Sequence, residues 1–123
     1  MSIQTEIIEY ENHKILFLDM AGKDEEEILW SHPSLKEGMV KNKIVLLLLD
    51  TTNTRTTEKI KESSVETIKY VEQHNGPTLT ALIGLRGIQK MIANAITKGI
   101  YFAKDREDGC RWLVANSSKL PPR

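Results

Sequence analysis

A short, unbroken apolar run from Ile44 to Leu49 closes on Asp50 and a threonine-rich stretch. The run shows no alternation of apolar and polar positions, so it predicts a strand that is buried on both faces. A second run, Leu79 to Gly84, has the same character and opens onto a helical pattern. Strands buried on both faces belong to sheets that are covered by helices, so the pattern predicts an α/β domain.

The flanking residues predict further strands and helices. Ile3–Tyr10 and Ile15–Leu18 read as two strands joined by a polar turn, which is typical of an antiparallel hairpin. Helices are predicted to begin at Asp24, at about Thr57, after Gly87 and at Asp105, and a short strand is predicted over Ile100–Phe102. The order β-β-α-β-α-β-α-β-α, with right-handed crossovers, predicts a mixed sheet that is mostly parallel and has helices packed on it.

The first helix carries both a start signal and an apparent stop signal. Asp24, followed by Glu27 three residues later, resembles a capping box. Pro33 is expected to end or kink this helix, because proline removes a backbone hydrogen bond. Residues 1–115 are predicted to form one domain, and residues 116–123 a flexible tail.

Composition narrows the classes of partner and compartment. Lys plus Arg and Asp plus Glu each number 17, so the formal net charge is zero, which argues against nucleic acid as a partner. The longest apolar run is far shorter than a bilayer span, and the N-terminus lacks the features of a signal peptide. Cys110 is the only cysteine, which excludes an internal disulfide. These features predict a cytoplasmic protein without an integral membrane segment.

The first candidate site is the polar stretch between the central strand and the following helix. A phosphate on Thr56 or Thr57 would lie at a helix N-terminus, where backbone N–H groups and the helix dipole favour anions. The alternative is that these residue types only satisfy backbone groups in the turn and at the helix start. The stretch comprises Asp50, Thr51, Thr52, Asn53, Thr54, Arg55, Thr56 and Thr57.

The second candidate site is the turn after the next strand, which contains Gly84, Arg86 and Gly87, with Lys90 one helical turn later. Backbone donors and two cations there would suit an anion. The spacing matches neither the GxGxxG nor the GxxxxGK[ST] motif, so no nucleotide cofactor is predicted. The alternative is that both glycines serve a tight turn and close packing.

No catalytic or metal site is expected from the sequence. His13, His32 and His74 are far apart and lack the spacing of metal ligands. Cys110 has no histidine near it in the sequence that would activate a thiol. The chain is therefore predicted to be non-enzymatic and to use no cofactor.

Three segments carry a family resemblance: Ile44–Asp50 with Thr51-Thr52, then Ala81–Gly84, then Tyr101-Phe102 followed by an acidic stretch and Trp112-Leu113. Together they resemble the STAS domain of sporulation anti-sigma-factor antagonists, in particular its branch of small STAS/SEC14-like proteins. The resemblance covers roughly Ile8 to Val114. The antagonists have an Asp-Ser-Ser-Gly sequence, with a phosphorylated serine, before the helix that follows the central strand. This chain instead has Asn53–Glu58 there, which places Thr56 and Thr57 near that position.

The resemblance implies a regulatory module that binds another protein through the edge bearing Asp50–Thr57, with phosphorylation of Thr56 or Thr57 as a modulator. Its SEC14-like side implies an alternative, a small carrier or sensor of a lipid-like, apolar or anionic ligand. The cavity for such a ligand would lie between the sheet and the helices that bear Trp30 and Ile60. An exposed first strand would also allow edge-to-edge pairing into a homodimer.

Overall fold

The computed structural model describes residues 5–85 and 100–120. The prediction of a helix after Gly87 falls outside these residues. Within them lie five strands and three helices. The strands are β1 (Thr5–Tyr10), β2 (His13–Asp19), β3 (Leu46–Asp50), β4 (Leu79–Ile83) and β5 (Tyr101–Ala103), and the helices are α1 (Glu25–Asn42), α2 (Glu58–Asn75) and α3 (Arg106–Ser117).

The strands form one mixed sheet in the order β1-β2-β3-β4-β5. β1 and β2 are antiparallel, and every other neighbouring pair is parallel. The turn between β1 and β2 has φ values of 48° at Glu11 and 69° at Asn12. Positive φ at both central residues suits the right-handed twist of a tight hairpin. The predicted α/β fold, with an N-terminal hairpin and a mostly parallel sheet, is therefore confirmed.

Different helices cover the two faces of the sheet. α1 and α2 pack on the face that contains Leu16 and Leu47, which we call the α1/α2 face. α3 packs on the face that contains Leu46 and Leu48, which we call the α3 face. Successive side chains of a strand point to opposite faces, so neighbouring leucines of β3 belong to two separate cores.

The start of α1 is fixed by the predicted capping box, which the structure confirms. The Asp24 carboxylate accepts a hydrogen bond from the Glu27 backbone N–H at 2.9 Å. In return, the Asp24 N–H donates to the Glu27 carboxylate at 3.3 Å. Two N–H groups that lack partners within the helix are thereby satisfied.

Pro33 does not end α1, which continues to Asn42, so the expected stop is wrong. An interior proline costs about 3 kcal/mol in a helix. After the proline, however, Leu35 and Met39 are 3% and 0% exposed. Burial of each such side chain stabilises the fold by about 1.5–3 kcal/mol, which together equals or exceeds the cost of the proline. Pro33 itself lies on the exposed side of the helix, where water can reach the backbone.

The other helix boundaries also follow local chemistry. At the start of α2 the Thr57 hydroxyl accepts a hydrogen bond from the Ile60 N–H at 3.3 Å. The last residue of α2 is Asn75, and the C-cap residue Gly76 has a φ of 91°. The Asp105 carboxylate accepts from the Asp108 N–H at 2.8 Å at the start of α3. α3 runs to Ser117, past the domain limit predicted at residue 115, and Leu120 packs against the core of the α3 face.

Candidate functional site

The carboxyl ends of the parallel strands meet at one edge of the sheet and bring the two candidate turns together. The Met20 N–H donates to the Asp50 carbonyl at 2.9 Å, and the Thr51 N–H donates to the Ile83 carbonyl at 2.8 Å. The turns after β2, β3 and β4 are therefore joined through their backbones. In open α/β sheets this edge is the usual place for a binding site.

Gly84 allows the closest contact between the two turns. Its φ is +88°, a conformation that side chains other than glycine rarely adopt. A Cβ at this position would lie 2.7 Å from the Thr52 Cα and 2.8 Å from the Thr52 nitrogen. The interpretation of Gly84 as a residue for a tight turn and close packing is confirmed. Arg86, Gly87 and Lys90, the other members of the candidate anion-binding turn, lie outside the described residues.

Much of the polar chemistry of the stretch from Asp50 to Thr57 is used within the turn itself. The Asp50 carboxylate accepts from the Thr52 N–H at 3.0 Å and from the Thr52 hydroxyl at 2.7 Å. Thr51 is buried, and its hydroxyl donates to the Ile83 carbonyl at 2.6 Å. The Thr54 hydroxyl donates to the Thr51 carbonyl at 2.7 Å. The alternative interpretation, turn and capping chemistry, therefore describes Asp50, Thr51 and Thr54 well.

The outer side of this edge forms a polar groove of about 490 Å³, which we call the edge groove. Thr52 and Asn53 are exposed there, and Asn53 has a φ of 57°. The exposed Lys104, at the end of β5, adds a cation that the sequence interpretation missed. Its signal was present, because a residue that follows a parallel strand must lie at the carboxyl edge. The groove is lined by Thr52, Asn53, Thr54, Ile83, Gly84, Leu85 and Lys104.

A separate cavity of about 80 Å³ lies on the α1/α2 face, which we call the inner cavity. It lies between the sheet and the first two helices, α1 and α2. From α2, Ile60 and Ser64 line it, together with Leu35 of α1. Trp30 does not take part, because it is 77% exposed on the outer side of α1. The sheet and the following turn contribute Leu47, Leu49, Thr51, Thr56, Thr80 and Leu82.

His32 is the titratable residue that the described part of the inner cavity contains. It is 8% exposed, and its Nδ1 lies 2.6 Å from the Ser63 hydroxyl oxygen. Burial lowers the pKa of His32 below its usual 6.5, so the ring is neutral at pH 7. The sequence interpretation gave His32 no role. Its spacing of four residues from Ile28 and three from Leu35 would have placed it on the buried side of α1.

Cys110 lies on the opposite side of the sheet, within the core of the α3 face. It is 3% exposed, and burial raises the pKa of its thiol. A buried thiol with a raised pKa is a poor nucleophile at neutral pH. Cys110 therefore contributes to packing and adds no chemistry to either site.

Two structural properties concern ions and membranes. In the ranges 5–85 and 100–120, no three His, Cys, Asp or Glu side chains come together in a group that could hold a metal ion. The helices described above also lack the combination of length and apolar character that crossing a membrane requires. Searches against known protein families and against curated proteins find no match for this chain.

Proposed function

We propose that this chain is a non-enzymatic, STAS-like regulatory module that binds another protein through the edge groove and the start of α2. The supporting observation is the junction of two turns that are 32 residues apart in the sequence. Both the backbone N–H and the side-chain hydroxyl of Thr51 donate hydrogen bonds to the Ile83 carbonyl. Because hydrogen bonds fix the backbone of this junction, Thr52 and Asn53 are held in place at the surface. Preorganised polar groups of this kind lower the entropic cost of association.

The surface chemistry suits a protein partner. Asn53 and Arg55 are exposed in the turn, and Lys104 is exposed beside it. Trp30 is 77% exposed on α1, and tryptophan is enriched among the residues that dominate binding at interfaces. A partner segment with carboxylate or carbonyl oxygens would meet two cations and several polar groups at the edge.

The dimensions of the inner cavity weigh against the lipid-carrier alternative. Ligand sites for drug-sized molecules usually measure about 300–1,000 Å³. The inner cavity measures about 80 Å³. A lipid-like cargo would have to displace much of the core of the α1/α2 face, so the cavity does not support that alternative.

The His32–Ser63 hydrogen bond gives little support to an enzymatic role. It joins the middle of α1 to the first half of α2, and Ser63 is not among the side chains that line the inner cavity. A nucleophilic serine needs access to a substrate and a group that stabilises the oxyanion. The pair is better placed to fix the packing of the two helices.

The experiment begins with affinity capture of the partner by the tagged full chain from extracts of its host. The purified partner is then titrated by isothermal calorimetry. Replacing two exposed cations that the structure describes at this edge, Arg55→Ala with Lys104→Ala, should weaken binding about tenfold or more. The matched control, Lys14→Ala with Lys41→Ala, removes the same charge elsewhere and should change affinity less than about twofold. Equal affinities for the two double variants would contradict the proposal.

Phosphorylation at the start of α2 is the proposed modulator. Thr57 already accepts a hydrogen bond from the Ile60 N–H at 3.3 Å, and a phosphate would place further acceptors at the same helix end. Phosphosite mapping in the host should find Thr56 or Thr57 modified. Thr57→Glu should then shift partner affinity, whereas Thr57→Ser, which keeps the cap, should not. An unmodified pair of threonines, with unchanged binding by Thr57→Glu, would remove this part of the proposal.

A further inference from the structure

The buried polar side chains concentrate around the inner cavity. The structure describes five buried polar residues, and four of them line this cavity. A buried polar group costs free energy unless it forms hydrogen bonds, so such a concentration in one place requires an explanation. The four residues are His32, Thr51, Thr67 and Thr80.

Some of these groups have structural partners, and the four residues come from α1, from α2 and from the sheet side of the cavity. The Thr51 hydroxyl donates to the Ile83 carbonyl at 2.6 Å, and the Thr67 hydroxyl donates to the Ser63 carbonyl at 2.8 Å. His32 uses Nδ1 to contact the Ser63 hydroxyl at 2.6 Å. This contact fixes the orientation of the imidazole and leaves Nε2 as its second hydrogen-bonding atom.

Most of the other described residues that line the cavity are apolar. Leu47, Leu49 and Leu82 cover the sheet side, and Ile60 and Ile68 of α2 cover the helix side. Among the described residues that line the cavity there is no Lys, Arg, Asp or Glu. A charged ligand would be left without a counter-charge in such surroundings, which carries a high desolvation cost. The ligand that suits this site is therefore uncharged.

The volume limits the size of the ligand. The cavity measures about 80 Å³. A dry apolar cavity of about 150 Å³ can hold a benzene molecule, so about half that volume suits a molecule of roughly three to five heavy atoms. Because the cavity is partly open, such a molecule can enter from solvent without global unfolding.

We propose that the inner cavity binds a small uncharged molecule that has an apolar body and one hydrogen-bonding group, and that His32 Nε2 bonds to that group. The apolar body contacts the leucines of β3 and β4. This cavity is distinct from the edge groove, although Leu85 lines both, and the inference does not depend on the proposed partner binding. A ligand of this size should bind with a dissociation constant on the order of 1 mM.

The test uses two probes with the ¹⁵N-labelled full chain. 2-Propanol carries a branched apolar body and one hydroxyl, whereas xenon is apolar throughout. Titration with 2-propanol, followed by ¹H–¹⁵N correlation spectra, should give saturable shifts for the amides near His32, Thr51 and Ser64. Xenon should give saturable shifts for the same group of amides. Shifts that rise linearly without saturation, or that spread evenly over the surface, would overturn the proposal.

A variant that fills the cavity separates specific binding from solvent effects. Ser64→Leu adds apolar volume to the cavity wall and should abolish the saturable shifts with both probes. The control, Ser34→Leu, makes the same change at an exposed position of α1 and should retain both. If Ser64→Leu does not fold, Ile68→Phe serves as the second filling variant. Binding by a folded filling variant that equals wild-type binding would overturn the site.

A second variant tests the polar half of the proposal. His32→Phe keeps a planar ring but removes Nε2, so 2-propanol should bind about two- to tenfold more weakly. Xenon affinity should change less than 2-propanol affinity, because xenon forms no hydrogen bond. Thermal unfolding confirms that the variant is folded under the conditions of the titration. An unchanged affinity for 2-propanol in folded His32→Phe would overturn the assignment of His32.

Discussion

The two faces of the sheet are built from the same strands but are packed differently. On the α3 face the helix lies so close that a Cβ at Gly109 would be 2.6 Å from the Leu48 Cδ1. On the α1/α2 face the neighbouring residue, Leu47, borders a cavity of about 80 Å³. One residue along β3 therefore separates a close contact with α3 from a wall of the inner cavity.

The polar side chains are also distributed differently on the two faces of the sheet. On the α1/α2 face, His32 and Thr80 are buried beside the cavity. On the α3 face, polar contacts lie at its margin, where the Tyr101 hydroxyl donates to Asp108 and Arg106 pairs with Glu6 at 2.9 Å. A close-packed core gives stability but has no room for a ligand. Both faces therefore contribute a buried core, but the described cavity and the buried polar residues around it lie on the α1/α2 face.

The largest expected effect comes from truncating the two neighbouring leucines of β3. Leu48→Ala should lower the free energy of unfolding by about 4 kcal/mol, near the upper end for buried leucine. Leu47→Ala should cost about 2–3 kcal/mol, because a side chain that borders a cavity has fewer atomic contacts to lose. Urea unfolding at pH 7 measures both values. Equal losses would show that the two faces are packed alike.

Added volume on the α3 face should have the next largest effect. Gly109→Val adds a Cβ that would lie 2.6 Å from the Leu48 Cδ1, together with two further methyl groups, and should lower the free energy of unfolding by about 1–3 kcal/mol. Ala115→Val, at an exposed position of the same helix, controls for the helix propensity of valine. It should lower the free energy of unfolding by only about 0.5 kcal/mol. The measurement is again urea unfolding. A Gly109→Val variant as stable as the control would indicate that α3 can move away from the sheet.

Local chemistry in the sequence was sufficient to predict most of the fold. The unbroken run ending at Asp50 is a buried central strand, and Asp24, Thr57 and Asp105 begin the three described helices. These features depend on neighbours a few residues away, such as a carboxylate and the N–H three positions later. A sequence shows such short-range relations directly.

The features that were missed or wrong depend on contacts between distant elements. The helix around Pro33 continues because of burial against the sheet, which the local pattern does not contain. His32 acquires its role from a hydroxyl on another helix, 31 residues away. Trp30 is exposed because the periodicity of α1 turns it away from the sheet. The sequence placed each candidate turn after a strand, but it did not show that Thr52 packs directly on Gly84.

The third expected effect is a pH dependence of the free energy of unfolding that differs between the two faces of the sheet. Burial lowers the pKa of His32 from its usual 6.5, so the unfolded chain binds a proton more readily than the folded chain does. The contribution of His32 to the free energy of unfolding is therefore fully present above about pH 6.5 and is lost as the pH falls below that value. The titration of His32 alone can change the free energy of unfolding by at most about 1.4 kcal/mol per pH unit. His32→Phe should remove this slope, whereas His74→Gln, at an exposed position, should leave it unchanged.

The α3 face should respond only at lower pH, because its titrating group, Asp108, is a carboxyl with a lowered pKa and so titrates at lower pH than the imidazole of His32. The Lys104 backbone N–H, at 3.1 Å, lowers the pKa of Asp108 below its usual 3.8, and the Tyr101 hydroxyl adds to the effect. A carboxylate with a lowered pKa stabilises the fold above about pH 3.8, and that stability is lost as the pH falls further. Urea unfolding between pH 7 and pH 3 should thus show two separate losses. His32→Phe should remove the first and Asp108→Asn the second, whereas a single loss that both variants abolish would mean that the two faces titrate as one unit.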